Sequence, residues 1–128
     1  MVKPLVVDDD PHILEAESIG LELQWPEATV LRARTGEECL AVFRKQRPDV
    51  VLLDVSLPGM TGFEVLREIR RESSVPVIMI TARDEDYAQT LGRALGASAY
   101  LVKPVSPRFL VQQVTVTLNG GAYGTSGP

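Results

Sequence analysis

Three consecutive carboxylates, Asp8, Asp9 and Asp10, close the segment "PLVVDDDP". A fourth, Asp54, follows "VVLL" in "VVLLDVSLPGMTG". Thr81 follows "VIMI", and Lys103 follows "YLV". Carboxylates that converge on one point repel unless a cation lies among them. Their oxygens are hard donors that suit Mg²⁺ better than a soft metal. No His/Cys cluster favours zinc. A partly filled Mg²⁺ shell keeps waters and takes phosphate oxygens. An ammonium at Lys103 and a hydroxyl at Thr81 suit the remaining phosphoryl oxygens. Asp54 can then act as a carboxylate nucleophile that forms an acyl phosphate. Each residue also has a plain reading. A strand-end Asp or Thr is often a helix cap, and a strand-end Lys often points to solvent. The conjunction carries the chemical reading, and Asp10 is set aside as a cap.

Five apolar runs position these groups: Leu5–Val7, Thr29–Arg32, Val50–Leu53, Val77–Ile80 and Tyr100–Val102. "VVLL" is continuous, as expected of a parallel strand covered on both faces. Between the runs lie helical patterns. "HILEAESIGLEL" places Ile13, Leu14, Ile19, Leu21 and Leu23 near helical spacing. "EECLAVFRKQ", "FEVLREIRRE", "DYAQTLGRALGA" and "RFLVQQVTVTL" give four more, the last rich in β-branched residues. Asp10-Pro11 and Ser106-Pro107 are N-caps followed by Pro at the first helical position. Thr35–Glu38 and Thr61–Glu64 fit the capping box. Gly96 is placed to end a helix in the left-handed conformation. The pattern is βα repeated five times, an α/β three-layer sandwich on a parallel sheet. In such sheets ligands bind beyond the carboxyl ends of the strands. Four of the five strands deliver a charged or hydroxyl group to that edge, and the second offers Arg34 and Thr35.

The 128 residues suit one domain, and 45% hydrophobic content is ordinary for a globular chain. The expected boundaries are 1–118 for the domain and 119–128 for a flexible tail or truncated linker. A net charge of −4 argues against nucleic-acid binding by this domain. Cys39 is the sole cysteine, so no internal disulfide forms, and a buried thiol is expected. No apolar run is long enough for a membrane span, and "MVKPLVV" is too short for a signal peptide, so a cytoplasmic location is expected. His12 reads as an exposed first-turn residue, and Trp25-Pro26 as packing for the loop before the second strand. Gly59 and Gly62 fit neither a dinucleotide fingerprint nor a P-loop.

With "VVDDDP", "DVVLLDVSLPGMTGFEVLREIR", "VPVIMITA" and "GASAYLVKP" in place, the chain resembles the receiver domain of two-component response regulators from about residue 3 to 118. The resemblance implies a flavodoxin-like (βα)₅ fold with strand order 2-1-3-4-5. It implies Asp54 as phosphoacceptor for a sensor histidine kinase, a phosphotransfer protein or a small phosphodonor, in a Mg²⁺-dependent reaction. Asp9, Asp8, Asp54 and the Ser56 backbone carbonyl would hold the metal. Thr81 would be the switch hydroxyl, Tyr100 the switch aromatic and Lys103 the phosphate-pairing ammonium, with a cis bond to Pro104. Ser56 and Arg83 would tune dephosphorylation. Thr81 moving inward would let the Tyr100 ring turn from exposed to buried. That would reshape the surface of the fourth helix, fifth strand and fifth helix for an output domain or partner protein. The alternative for Tyr100 is a fixed surface aromatic packed on the fourth helix. The chain would be no enzyme beyond its own phosphorylation and dephosphorylation.

Around "GASAYLVKPVSPRF" the paired acidic residues of many dimerising relatives are missing, and Arg108 stands where many are acidic. Leu91, Leu95 and Leu101 offer an apolar patch for a homodimer there. Two rival readings are weaker. A haloacid-dehalogenase-like phosphatase would use Asp8 as nucleophile and Asp10 as acid, but it leaves Asp54 unexplained and lacks a cap segment. A phosphorylation-independent interaction domain would leave the full residue set without a use.

Overall fold

The computed structural model describes residues 2–82 and 86–120. Ten elements alternate. They are β1 (Pro4–Val7), α1 (Pro11–Gln24), β2 (Leu31–Ala33), α2 (Gly36–Gln46), β3 (Val50–Leu53), α3 (Gly62–Glu72), β4 (Val77–Thr81), α4 (Asp86–Ala94), β5 (Ala99–Val102) and α5 (Pro107–Leu118). The five strands form one parallel sheet in the order β2-β1-β3-β4-β5. This is the flavodoxin-like arrangement expected from the sequence.

Strand residues alternate between two cores, as the two-residue period of a strand requires. Leu5, Val7, Val51, Leu53, Val77, Met79 and Tyr100 pack with Phe43 of α2 and with Val65 and Ile69 of α3. Val6, Leu52, Ile78, Ile80 and Leu101 face the other way, onto Leu14 and Leu21 of α1 and Leu110 and Val114 of α5. Both faces of the sheet are covered, so β1, β3 and β4 are buried throughout. Cys39 is fully buried within the first core. No helix among the described residues is long and apolar enough to cross a membrane.

The helix starts follow the sequence signals. The Asp10 carboxylate accepts from the N–H groups of His12 (2.8 Å) and Ile13 (3.4 Å). Ser106 caps α5 through Phe109 N–H, and Thr61 and Glu64 close a full capping box on α3. Gly96, at φ +99°, ends α4 in a Schellman pair: Ala97 N–H reaches Gly92 O, and Gly96 N–H reaches Arg93 O.

Several expectations are corrected. β2 begins at Leu31 rather than Thr29, because Thr29 is exposed and pairing with β1 starts at Leu5–Leu31. β4 ends on Thr81, which pairs with Val102 and is therefore part of the strand. On α1 the buried line is Leu14, Ser18 and Leu21, while Ile19 and Leu23 are exposed at 44% and 78%. The hydroxyl of Ser18 is satisfied inside the core by Leu14 O at 2.7 Å. Thr35 caps α2, but the Glu38 carboxylate reaches past it to Arg34 N–H at 2.6 Å, so that capping box is not closed. Leu101 is fully buried on the α1/α5 side and cannot contribute to a surface patch, whereas Leu91 and Leu95 are half-buried.

Gly62, at the first turn of α3, lies against the strand end that carries Asp54. A Cβ there would fall 2.2 Å from Asp54 O and 2.8 Å from Val55 Cα. The obstacle is backbone, so it cannot step aside cheaply. Gly62→Ala is expected to destabilise the domain by about 1–3 kcal/mol or more. Urea unfolding monitored by circular dichroism would measure it, and a variant as stable as the parent would show that α3 can move away from β3 freely.

Candidate functional site

The register of the sheet assembles the site. Val7 pairs with Leu53, and Leu53 with Met79. The residues just past the first pair, Asp8 and Asp54, therefore stand side by side at the carboxyl edge. Asp54 N–H donates to Val7 O at 3.1 Å, and Asp8 N–H to Ala33 O at 3.2 Å, so strand-like pairing extends into both acidic residues.

Asp8 and Asp54 are buried, with 2% and 5% exposure, whereas Asp9 is exposed. One oxygen from each of the three lies within 4.8 Å of the other two. The Lys103 ammonium sits between the two buried members, 2.6 Å from Asp8 Oδ2 and 3.0 Å from Asp54 Oδ2. Lys103 is joined to Pro104 by a cis peptide bond, and its N–H donates to Thr81 O at 2.8 Å. The other oxygens have backbone donors: Asp10 N–H to Asp8 Oδ1 at 2.9 Å and Ser56 N–H to Asp54 Oδ1 at 3.1 Å.

Burial pushes the Asp54 carboxyl above its usual range, while the adjacent Lys103 charge and hydrogen bond hold it back. For Lys103 burial acts downward, but the hydrogen bond to Asp8 and the charge and hydrogen bond of Asp54 outweigh it. Its pKa rises, and the ammonium stays charged. Three carboxylates against one ammonium leave the cluster negative. The hard-oxygen donor set and that surplus charge both fit a divalent cation such as Mg²⁺. On the same grounds Asp8, Asp9 and Asp54 are the residues that could hold it.

The other expected residues divide. Thr81 is fully buried at the end of β4. Tyr100 has 0% exposure and is therefore no surface aromatic. Gly92 of α4 makes room for its ring: a Cβ there would stand 3.0 Å from Tyr100 Cδ2. Ser56 is exposed beside Asp54. Arg83 and residues 121–128 of the expected tail lie outside the described residues. His12 is exposed on α1, and Asp10 is engaged as a helix cap.

Two residues near the site were given no role there by the sequence. Gly62 lets α3 approach Asp54. Glu17 of α1 lines a cavity of about 520 Å³ together with His12, Ile13, Lys103 and Pro104. Burial, and then the charge of Asp8, raise its pKa from the ordinary 4.5 to about 7. A carboxylate midway along an otherwise helix-forming segment reads as a solvated face, so no sequence signal separated it from Glu15.

Comparison with known proteins follows the same lines. The family model described as response regulator receiver domain matches residues 5–115. The transcriptional regulatory protein AfsQ1 of Streptomyces coelicolor is 42% identical over 117 residues, covering 91% of this chain and 51% of that protein. The sensory transduction protein RegX3 of Mycolicibacterium smegmatis is 40% identical over 122 residues, covering 95% and 53%. The chain thus spans about half the length of these curated relatives. Among solved structures, a CheY-like response regulator receiver domain protein from Methanospirillum hungatei superimposes with a TM-score of 0.87 at 30% identity. It covers 94% of this chain and 95% of that one.

Glu17 makes stability depend on pH with a definite sign. Unfolded, it loses its proton near 4.5, and folded, near 7. Between these values the native state binds the extra proton, so stability falls as pH rises and the penalty is complete above 7. Glu17→Gln is therefore expected to match the parent at pH 4, below the unfolded value, without divalent cation. At pH 8 it should be more stable by something on the order of 1–2 kcal/mol, allowing for the part of the carboxyl that reaches water. Denaturant midpoints at the two pH values test this, and equal differences at both would remove the titration account.

Proposed function

The chain belongs to the response regulator receiver domain family, and from that premise we propose that Asp54 takes a phosphoryl group from a histidine kinase or phosphotransfer protein. It is a receiver domain of two-component signalling. The observation that carries the site reading is the convergence of Asp8, Asp9 and Asp54 oxygens within 4.8 Å, with Lys103 bridging the two buried ones.

In this reading the Asp54 carboxylate attacks phosphorus. The new O–P bond forms as the P–N bond to the donor imidazole breaks, and the imidazole retains the leaving electron pair. Lys103 stands ready for the arriving charge, because its ammonium already contacts Asp54 Oδ2. The Ser56 N–H fixes the other Asp54 oxygen and so sets the rotation of the carboxylate. Asp8, Asp9, Asp54 and the Ser56 carbonyl would hold Mg²⁺, which supplies charge neutralisation at the phosphoryl oxygens when bound. The Thr81 hydroxyl is the group drawn to the phosphoryl oxygens, and Tyr100, on the neighbouring strand, is the aromatic whose packing responds. Ser56 and Arg83 tune the return of the phosphoryl group to water.

The receiver unit is residues 1–118, and the exchange takes place in the cytoplasm. The switched surface is that of α4, β5 and α5. A relative named a transcriptional regulatory protein, about twice as long, supports an output that controls transcription through a further domain. With Leu101 buried, a homodimer on this face would rest on Leu91 and Leu95 instead. The phosphatase alternative is not favoured, since it leaves Asp54 without a role and the matching family is that of receiver domains.

Incubation with Mg²⁺ and acetyl phosphate, followed by intact-mass and peptide mapping, tests the reading. One phosphoryl adduct is expected on Asp54, absent in Asp54→Asn and absent when Mg²⁺ is chelated. Lys103→Met is expected to slow its formation by at least about tenfold, as for loss of one preorganised charge partner. An adduct on Asp8 would overturn the assignment, and no adduct even with a competent kinase would favour a phosphorylation-independent interaction domain.

A further inference from the structure

We propose that Arg34 is a positioning residue for the cation-binding end of the site, acting through the main-chain carbonyl of Asp9. The inference rests on the reading of the acidic cluster as a divalent-cation site. Arg34 directly follows β2, the one strand that the sequence left without a role at the carboxyl edge. Its guanidinium Nη2 donates to Asp9 O at 3.1 Å. One residue earlier, Ala33 O accepts the N–H of Asp8 at 3.2 Å. Two consecutive residues at the end of β2 therefore grip two consecutive residues of the β1–α1 connection.

The grip is itself anchored. Arg34 N–H donates to Glu38 Oε1 at 2.6 Å, and Glu38 N–H donates to Thr35 Oγ1 at 3.1 Å. The first turn of α2 thus fixes the backbone from which the guanidinium reaches out. The open capping box of α2 has the same origin, since the Glu38 carboxylate serves Arg34 and not Thr35.

Asp9 needs such help more than its neighbours do. The Asp8 carboxylate is buried and held by Asp10 N–H and Lys103. The Asp54 carboxylate is buried and held by Ser56 N–H and Lys103. Asp9 is exposed, and its carbonyl accepts the Arg34 guanidinium. Groups that orient a metal ligand contribute to affinity without touching the metal.

Charge makes the proposal sharp. Arg34 is a cation beside an anionic cluster, so as a bare charge it opposes a second cation. Its removal would then tighten Mg²⁺ binding. As a positioning group, its removal weakens binding. The two roles have opposite signs.

Isothermal titration calorimetry with Mg²⁺ alone, on the full 128-residue chain at fixed ionic strength, reads the difference. Arg34→Ala is expected to raise the Mg²⁺ Kd about three- to tenfold, the lower end of what such supporting contacts carry, because the contact is exposed. Arg34→Lys keeps the charge and one donor on a flexible stem and should recover part of the affinity. Hydrogen exchange at the Asp9 and Asp10 amides should quicken in Arg34→Ala while α3 stays protected. An unchanged or lower Kd in Arg34→Ala overturns the inference. If Arg34→Ala does not fold, Arg34→Lys decides, and a Kd equal to the parent's overturns it. A parent chain that binds no Mg²⁺ overturns the cation-site reading and this inference with it. A parent that binds Mg²⁺ and is phosphorylated on Asp54, beside an unaffected Arg34→Ala, overturns this inference alone.

Discussion

The bridge from Lys103 to Asp8 and Asp54 is the constraint on which the rest depends. Two carboxylates with 2% and 5% exposure cannot lie side by side uncompensated, because burial and mutual repulsion both act against the charged form. The compensating ammonium comes from 49 residues beyond Asp54 and 95 beyond Asp8. The chain must therefore bring the ends of β1, β3 and β5 to one edge before the charges become tolerable. A parallel sheet does this by construction, since every strand ends on the same side. The strand order then places β1 beside β3 at the centre and leaves β5 at the far edge. Only a long side chain can span from there.

The two-residue period of the strands sorts the site into two halves. Val7, Leu53, Met79 and Tyr100 share one face of the sheet, with α2, α3 and α4. Counting on by single residues, Asp8, Asp54 and Lys103 fall on the parity of the opposite face, with α1 and α5. Thr81 falls on the parity of Tyr100. The charge chemistry and the aromatic thus occupy opposite sides of one sheet, and Thr81 at the end of β4 is the polar group common to the edge and to the Tyr100 side. The same parity explains Glu17. It belongs to α1, so it feels Asp8, Lys103 and Asp54 and lines a cavity with Lys103.

What was legible in the sequence was whatever depends on local pattern. β3 is a four-residue aliphatic run bounded by charged residues, and its ends are as read. Asp10, Thr61, Ser106 and Gly96 end their helices by short-range hydrogen bonds or a left-handed φ, which the residue type itself favours. The convergence of Asp8, Asp54, Thr81 and Lys103 followed from strand ends alone. What escaped depends on partners distant in sequence. β2 shifted because its register is set by pairing with β1 and not by its own weak apolar run. Leu23 is apolar at a helical spacing, yet at 78% exposure it lies outside the arc that meets the sheet. Leu101 was placed on a surface because helix and strand neighbours cannot be told apart without the fold. Gly62, Arg34 and Glu17 carry no local signature of the roles they take. Their roles are an approach to backbone, a hydrogen bond to a carbonyl and a burial.

The placement of Tyr100 bears on how such a site can signal. Its ring is buried, with Gly92 opposite and the sheet core beneath. Phosphorylation can shift a conformational equilibrium only by its differential interaction with the two states. Under the proposed function the charge event lies on one parity of the sheet and the ring on the other, and Thr81, in register with Val102 across the β4–β5 pair, is the group that would link them. The Lys103 backbone is tied to the same point, its N–H on Thr81 O. A change in what the Lys103 ammonium holds is thereby applied to the strand end that borders Tyr100. In the proposed function, the interaction that makes the acidic cluster tolerable would thus also be the route by which its occupancy reaches the α4–β5–α5 surface.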